Sequence, residues 1–326
     1  MKKFVLLLWR LLRANQSITA HLPTVVYLFR ARPGIPLLLS TYKRVRSAAR
    51  LPRDPLRGET APPIELLIVA APKDFQTLEA SILAAIRMST NPIERITVVV
   101  PEAASSHPVL ANLAAITSAP LSVLAEEEVI DVKIRNQLKL KFNDRYGWVL
   151  QQLLTTSLVS ASNSCGVLAI DSDTLLTAPR TLLSSSGRQI LTPTFELHQP
   201  YYDFLVELGM TLRTPIRSFV PHSMLMQPIY MNEALSAAGC DSSSELAMKV
   251  VKFSDGRLGS SVCVEFELYA QYMYHSRPEN VTLAEWANFD LYGTRPATEI
   301  ANLTNLTKFI GHYSRWGSVS IHSYNR

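Results

Sequence analysis

Residues 165–177 read CGVLAIDSDTLLT and contain the stretch that decides the fold. The apolar run Val167–Ile170 is followed at once by two aspartates, Asp171 and Asp173. A short apolar run with a turn signal behind it is typical of a strand buried on both faces of a sheet. Ligands bind outside the carboxyl ends of strands in open α/β sheets. The two aspartates are therefore expected at a binding site.

The segments around this strand alternate between strand and helix patterns. Ile64–Ala71 and Ile96–Val100 are apolar runs that predict strands, and a helix is predicted between them over Phe75–Ser89, with Asp74 as its N-cap. This rhythm predicts an α/β, Rossmann-like fold with a mixed, mostly parallel sheet flanked by helices. Further helices are predicted over Val109–Thr117, Tyr146–Ser162, Tyr202–Leu212, Asn232–Ala238, Glu245–Val250 and Val264–Tyr274, and further strands over Leu121–Leu124 and Gln189–Pro193.

The charges divide the 326 residues into two parts. Residues 1–60 carry twelve Lys or Arg and two Asp or Glu, a balance of +10, whereas the remaining residues carry 20 basic and 25 acidic side chains, a balance of −5. Prolines between Pro52 and Pro63 mark the change. We predict a basic N-terminal extension over residues 1–60 and one globular domain over residues 61–326.

Composition excludes several classes of protein. Apolar residues make up 47% of the chain and charged residues 18%, which excludes a disordered protein. A mildly acidic domain argues against a nucleic-acid partner. The three cysteines lack metal-ligand spacing and form no evident disulfide framework, which favours a reducing compartment, and we expect a cytoplasmic protein.

The extension suggests contact with a membrane surface. Met1–Arg13 reads MKKFVLLLWRLLR, and its apolar run Phe4–Trp9 is far shorter than the roughly 20 residues that span a bilayer. We therefore predict a basic amphipathic helix there, followed by a second basic run around Tyr42. Such segments bind anionic lipid headgroups, here at the inner membrane face. A solvated arm, or a helix packed on the domain, is the alternative.

The two aspartates themselves predict a metal site. Residues two apart on an extended backbone point the same way, and neighbouring carboxylates repel each other unless a cation or proton intervenes. Mg²⁺ and Mn²⁺ use one or two carboxylates and complete their shell with water and substrate phosphate. Asp171 and Asp173 therefore predict a metal ion that bridges to a diphosphate. The alternative is a loop in which Asp171 caps a turn and Asp173 is solvated.

The segment VLAIDSDTLLT, with the β-α-β pattern before it, resembles the Asp-x-Asp region of GT-A glycosyltransferases, and the resemblance implies a GT-A-like fold. More narrowly, the chain resembles a largely uncharacterised bacterial GT-A-like family. At Thr155–Thr156 the chain departs from that family's pattern, because a basic residue is expected there. The matching pieces are Arg145-Tyr-Gly-Trp148-x-x-Gln151-Gln152, Asp171-x-Asp173, His222-x-Met224 and Glu265-Phe-Glu267-Leu-Tyr269.

This resemblance implies a metal-dependent glycosyltransferase that moves a sugar from a nucleotide-sugar donor to a glycan or lipid-linked acceptor. Asp171 and Asp173 would hold Mn²⁺ or Mg²⁺ against the donor diphosphate. Lys73 is suited to a phosphate and Asp74 to a base or ribose, although a surface lysine and a helix cap are the simpler interpretations. The residues predicted to contact the donor are Pro72, Lys73, Asp74, Glu102, Gln152 and Asp171.

Candidates for the remaining roles follow the same resemblance. Glu265 is the predicted base for the acceptor hydroxyl if the reaction inverts, and His222 is predicted to contact the acceptor or assist catalysis. His312 is predicted as a third metal ligand, with His322 as its alternate. Structural roles are the alternatives: an ion pair for Glu265, a core position for His222 and a surface position for His312.

Two other functions are compatible with the same residues. Haloacid-dehalogenase-type phosphatases carry Asp-x-Asp-x-Thr/Val after a strand, but Leu175 occupies the Thr/Val position and the motif lies late in the domain. The other alternative is a catalytically degenerate GT-A-like scaffold that binds at a membrane or to a glycan without turnover. Thr155–Thr156 is the feature that favours this scaffold.

Overall fold

The computed structural model describes residues 54–194, 199–212, 218–254, 262, 265–284, 288–292, 300 and 303–322. The predicted helix at Met1–Arg13 and the basic run around Tyr42 lie outside these residues, and the predicted boundary at residue 61 stays a prediction. Residues 54–60 contact the domain, because the Leu56 side chain is fully buried and the Asp54 carboxylate accepts from the Thr181 backbone N–H at 2.8 Å.

A five-stranded sheet forms the centre of the molecule, in the order β3-β2-β1-β4-β7. The first four strands are parallel, and β7 pairs antiparallel with β4 at the edge. The α/β class and the mixed, mostly parallel sheet predicted from the sequence are thereby confirmed. The strands are β1 (Ile64–Val69), β2 (Ile93–Val100), β3 (Leu121–Ala125), β4 (Val167–Ile170) and β7 (Ser223–Met226).

Helices cover both faces of this sheet. Successive residues of β1 point to opposite faces, so Leu66 packs with α1 on one side while Leu67 packs with α5 on the other. Both side chains are buried, which explains why β1 reads as a continuous apolar run. The helices of this half are α1 (Phe75–Met88), α2 (Pro108–Ile116), α3 (Glu126–Val129), α4 (Val132–Phe142) and α5 (Tyr146–Ala161).

The second half of the chain adds two small sheets and more helices. One sheet has the order β5-β10-β9, and in the other β6 pairs with β8. The strands are β5 (Thr174–Leu176), β6 (Gln189–Leu191), β8 (Val281–Leu283), β9 (Asn288–Tyr292) and β10 (Ser318–His322). The helices are α6 (Gln199–Glu207), α7 (Pro228–Ala237), α8 (Ser243–Phe253), α9 (Phe266–Ser276) and α10 (Leu303–Tyr313).

The helix predicted over Tyr202–Leu212 is shorter than expected. It ends at Glu207 because Gly209 adopts a positive φ of 77°. There the Met210 N–H donates to the Leu205 carbonyl at 3.0 Å, a bond typical of a helix that stops at a left-handed glycine. The glycine therefore overrides the apolar pattern that continues beyond it.

Among the residues described, no helix is both long and apolar enough to cross a membrane.

Truncation of a strand residue should destabilise this fold far more than truncation of an exposed one. Leu168 in β4 is fully buried, whereas Leu140 on α4 is 83% exposed. Leu168→Ala should lower the free energy of unfolding by about 2–5 kcal/mol, since it leaves a cavity in the core. Leu140→Ala, the matched control, should change it by no more than about 0.5 kcal/mol. Urea denaturation followed by circular dichroism measures both, and equal effects would contradict the arrangement of the sheet.

Candidate active site

The chain passes from one sheet to another at Asp171–Asp173. Strand β4 of the central sheet ends at Ile170, and β5 of the three-stranded sheet begins at Thr174. The Thr174 N–H donates to the Asp171 carbonyl at 3.0 Å and closes a tight turn. The extended backbone expected for the two aspartates is therefore wrong, and their side chains diverge toward different neighbouring strands.

Helix α1 anchors this turn from behind. The carbonyl oxygen of Ser172 accepts a hydrogen bond from Ser81 Oγ at 3.0 Å and from Thr77 Oγ1 at 3.1 Å, and all three residues are buried. Thr77 has one hydroxyl proton, which it shares between Ser172 and the Asp74 carbonyl at 2.8 Å. The Ser172 hydroxyl in turn donates to Asp74 Oδ2 at 3.2 Å. Asp74 stands at the N-cap position of α1, but its side chain makes no capping bond there. The Asp74 carboxylate, predicted to cap α1, therefore accepts from Ser172 in the site instead of from the helix backbone.

Strand β7 brings His222 to Asp171. The antiparallel register pairs Ile170 with Ser223, so the preceding residue, His222, lies opposite Asp171. The Asp171 N–H donates to the His222 carbonyl at 3.0 Å, and His222 Nδ1 lies 3.0 Å from Asp171 Oδ2. Gln151 of α5 donates from Nε2 to the other carboxylate oxygen, also at 3.0 Å. The Asp171 carboxylate is therefore held in a fixed orientation.

Strand β10 brings His322 to Asp173. Strands β10 and β5 pair antiparallel, and the Ile321 N–H continues the ladder by donating to the Asp173 carbonyl at 2.8 Å. His322 Nδ1 then lies 3.0 Å from Asp173 Oδ2, and its Nε2 lies 3.7 Å from Asp290 Oδ1 on β9. The two histidine rings, of His222 and His322, have centroids 6.1 Å apart, so the two aspartate–histidine pairs form one site.

The site lies where the order of strands reverses. Strand β1 pairs with β2 on one side and with β4 on the other, so the chain order reverses between β1 and β4. In open α/β sheets, this topology places a crevice between the connections that follow the two strands. Asp74 follows β1 and Asp171 follows β4, and Ser172 links the two loops by its bond to Asp74. Ligands of open α/β sheets bind at such a switch point.

Clustered carboxylates shift the pKa values of their neighbours. Burial raises the pKa of the Asp74 carboxyl, Lys73 opposes the shift, and the charges of Asp173 and Asp171 add to it. Burial lowers the pKa of His222, but the hydrogen bond and charge of Asp171 outweigh it, so that pKa is raised. Burial also lowers the pKa of His322, but the contacts of this histidine with Asp173 and Asp290 outweigh burial and raise its pKa to about 9. The charges of the two aspartates therefore favour a proton on each of these three neighbours.

The chemistry of the donor set fits a divalent cation. Two carboxylates and an imidazole are ligands that Mn²⁺ accepts, and Mg²⁺ takes the carboxylates. Within the described ranges, however, no three His, Cys, Asp or Glu side chains already converge into a group that could hold a metal ion. The physical reason is that each aspartate, Asp171 and Asp173, is paired with a histidine of its own. Such a cation would compete with the histidines for these oxygens.

Two residues predicted for the site lie elsewhere. His312 is exposed near the end of α10, where its ring packs edge-on against Tyr313, and it contacts neither aspartate. The alternate histidine, His322, is the one that reaches Asp173. Gln152 is 1% exposed and donates to the Trp148 carbonyl within α5. Its neighbour on the helix, Gln151, faces the site in its place.

The other predicted contacts follow strands β1 and β2 or precede α9. Pro72 and Lys73 are exposed in a 3₁₀ turn after β1, and Glu102 is exposed after β2, where its N–H donates to Glu127 Oε2 at 3.0 Å. Glu265 directly precedes α9, and its side chain is 7% exposed. The roles of these four residues stay predictions.

The residues that bear on the two alternative functions, the degenerate scaffold and the phosphatase, are buried. Thr155 and Thr156 lie in the interior on α5, and Thr156 Oγ1 donates to the Gln152 carbonyl at 2.9 Å. A basic side chain is therefore missing from the helix that carries Gln151. Leu175 is fully buried in β5 and offers no hydroxyl where the phosphatase motif has Thr.

Comparisons of the sequence with family models and with curated proteins gave no match. Solved structures do match by shape. Mouse xyloside xylosyltransferase 1 is 11% identical at a TM-score of 0.44, covering 79% of this chain and 97% of its own. The galactosyltransferase LgtC in complex with donor and acceptor sugar analogues is 11% identical at a TM-score of 0.44, and the match covers 79% of this chain and 87% of LgtC. The mannosyltransferase Ktr4p from S. cerevisiae is 10% identical at a TM-score of 0.42, and the match covers 72% of this chain and 71% of Ktr4p.

These structures are of glycosyltransferases, the class of protein that the sequence resembles. At such identities and TM-scores the likeness carries no conclusion about substrates or mechanism.

Removal of the anchor behind the aspartate turn should destabilise the protein. In the double variant Thr77→Val/Ser81→Ala the buried Ser172 carbonyl loses both hydrogen-bond donors, which should cost about 1–3 kcal/mol of unfolding free energy. Chemical denaturation measures the loss. Ser105→Ala, which removes a bond between exposed residues, is the control and should change stability by less than about 0.5 kcal/mol. A double variant as stable as the native chain would show that α1 does not anchor the turn.

Proposed function

We propose that this protein is a metal-dependent glycosyltransferase that uses a nucleotide-sugar donor. One observation carries the proposal: Asp171 and Asp173 meet His222 and His322 at the carboxyl end of β4, beside the switch point of the sheet. A crevice at a switch point suits a nucleotide, and paired carboxylates suit the cation that accompanies a diphosphate. The switch point and the paired carboxylates together favour sugar transfer from a nucleoside diphosphate over a phosphatase or a non-catalytic scaffold.

Asp171, Asp173 and His322 are the residues that we propose to hold Mn²⁺ or Mg²⁺. The bound ion would offset the negative charge that develops on the departing nucleoside diphosphate. Asp173 and the imidazole of His322 already lie 3.0 Å apart, whereas Asp171 is paired with His222 and would have to turn toward them to share an ion. Gln151 orients the Asp171 carboxylate from the opposite side.

The donor is proposed to lie over the ends of β1 and β2. Lys73 stands beside Asp74 at the exposed turn after β1 and supplies a cation for a phosphate. Asp74, held by the Ser172 hydroxyl, supplies an acceptor for a ribose or base hydroxyl. Glu102 borders the same edge of the sheet after β2. Gln152 is left out of this proposal because it is buried.

Two residues remain candidates for deprotonation of the acceptor, a glycan or a lipid-linked sugar. Glu265 is largely buried at the start of α9 and offers a carboxylate that could accept the proton of an acceptor hydroxyl. His222 is fixed through Nδ1 by Asp171, which leaves Nε2 as the other ring nitrogen for proton transfer. If the reaction retains the anomeric configuration, neither residue needs to act as a base.

Loss of one aspartate should abolish metal-linked nucleotide binding. Isothermal titration of the full-length protein with Mn²⁺, and then with a panel of nucleoside diphosphates, should show that each ligand tightens the binding of the other. Asp173→Ala should remove this linkage while the circular dichroism spectrum stays native. Asp173→Asn keeps the shape of the side chain without its charge and should have the same effect.

Asp241→Asn is the control for that experiment, because Asp241 is an exposed carboxylate before α8. It should leave both affinities unchanged. Nucleotide affinity in Asp173→Asn equal to that of the native chain would overturn the metal dependence. Trapping of fluoroberyllate on Asp171 would support a phosphatase, and binding of neither ligand would support the scaffold.

We further propose that the basic segment, residues 1–60, contacts an anionic membrane surface and brings the enzyme to a lipid-linked acceptor. Its balance of +10 contrasts with −5 for the rest of the chain, and each cation near such a surface contributes about 1 kcal/mol. The quadruple variant of Lys43, Arg44, Arg46 and Arg50 to Gln should bind phosphatidylserine vesicles at least about tenfold more weakly in cosedimentation. Unchanged binding would remove this proposal.

A further inference from the structure

Strand β9 carries a carboxylate, Asp290, that none of the roles above uses. Strands β9 and β10 are parallel, and their register pairs Asp290 with Ser320 and Tyr292 with His322. Alternate residues of a strand share a face, so Asp290 and His322 lie on the same face of the small sheet. Asp290 Oδ1 is 3.7 Å from His322 Nε2, on the opposite edge of the ring from Asp173.

A chain of polar contacts fixes this carboxylate. Asn288 donates from Nδ2 to Asp290 Oδ1 at 2.8 Å and to Ser320 Oγ at 3.1 Å. Its own Oδ1 accepts from Ser318 Oγ at 2.7 Å, and Ser318 and Ser320 are almost completely buried. Asp290 itself is 43% exposed. The buried serines therefore fix Asn288, and Asn288 fixes the exposed Asp290 carboxylate at the edge of the site.

We propose that Asp290 is the positioning residue of the metal-binding imidazole, His322. Imidazoles that bind metals commonly donate their second ring N–H to a carboxylate, which fixes the tautomer and the ring orientation. Asp290 Oδ1 lies 3.7 Å from Nε2, longer than a hydrogen bond, and a small approach of the two groups would let it accept from Nε2–H. That would leave Nδ1, which lies beside Asp173, for the ion. This inference rests on the proposed metal-dependent function, since it assigns a role to a neighbour of one of its ligands.

The opposite face of the same strands explains why this support is rigid. Phe289 and Leu291 of β9, and Val319 and Ile321 of β10, pack with α1 and α10 in one apolar cluster. The polar face therefore cannot rotate relative to the core without loss of that packing. The pairing of β10 with both β9 and β5 therefore sets His322 between Asp290 and the aspartate turn.

The test measures Mn²⁺ binding and its spectroscopic signature rather than activity. Electron spin echo spectra of Mn²⁺ bound to the native chain should show ¹⁴N modulation from His322, and His322→Ala should lose it. Asp290→Asn should weaken Mn²⁺ affinity by about 10- to 100-fold and reduce the modulation. Asp290→Glu should recover most of both, and Asn288→Ala should weaken affinity in the same direction by a smaller factor.

Asp241→Asn again serves as the matched control and should leave affinity and modulation unchanged. Native Mn²⁺ affinity and modulation in Asp290→Asn would overturn the positioning role and leave the proposed function intact. A lower melting temperature with unchanged Mn²⁺ affinity would also overturn it, since it would show a structural role alone. Failure of the native chain itself to bind Mn²⁺ would overturn the metal dependence and this inference together.

Discussion

The turn at Asp171–Asp173 depends on one buried carbonyl, that of Ser172, and the rest of the site depends on that turn. Two hydroxyls of α1 hold the carbonyl and thereby fix the point where the chain leaves the central sheet. From there Asp171 faces β7 and Asp173 faces β10. A single change of direction thus delivers two carboxylates to two histidines that are 100 positions apart in the chain.

Electrostatics and topology act together at this place. Parallel strands end at the same edge of the sheet, and the reversal of strand order at β1 and β4 opens a crevice there. Asp74, Asp171, Asp173 and Asp290 all lie at or beside that crevice, and two imidazoles compensate part of their charge. The contacts with these carboxylates raise the pKa of both imidazoles, which favours their protonated form. A divalent cation would place the same total charge, +2, in one ion.

Local patterns predicted the central part of this arrangement. The apolar run Val167–Ile170 placed the aspartates at a strand end, and the same reasoning found Asp74. The prediction named Gln152, but the structure brings its neighbour Gln151 to Asp171. The helical spacing of Val149, Leu153 and Thr156 already marks Gln152 as a residue of the buried face. No helical or strand pattern in the sequence distinguishes His312 from His322 as the histidine beside Asp173. The identity of that histidine depends on the register of β5 against β10, which joins segments distant in sequence and has no local signal.

The Asp173–His322 contact spans 149 positions of the chain. Closing so long a loop costs conformational entropy before any contact compensates for it, and pairings of this kind form slowly. The parallel strands β1, β2 and β3, in contrast, follow one another closely and are joined by short helices. We therefore expect β1, β2 and β3 to pair early in folding and the edge that joins Asp173 to His322 to be completed last, so that a partly folded chain would have most of its central sheet before the proposed metal site exists.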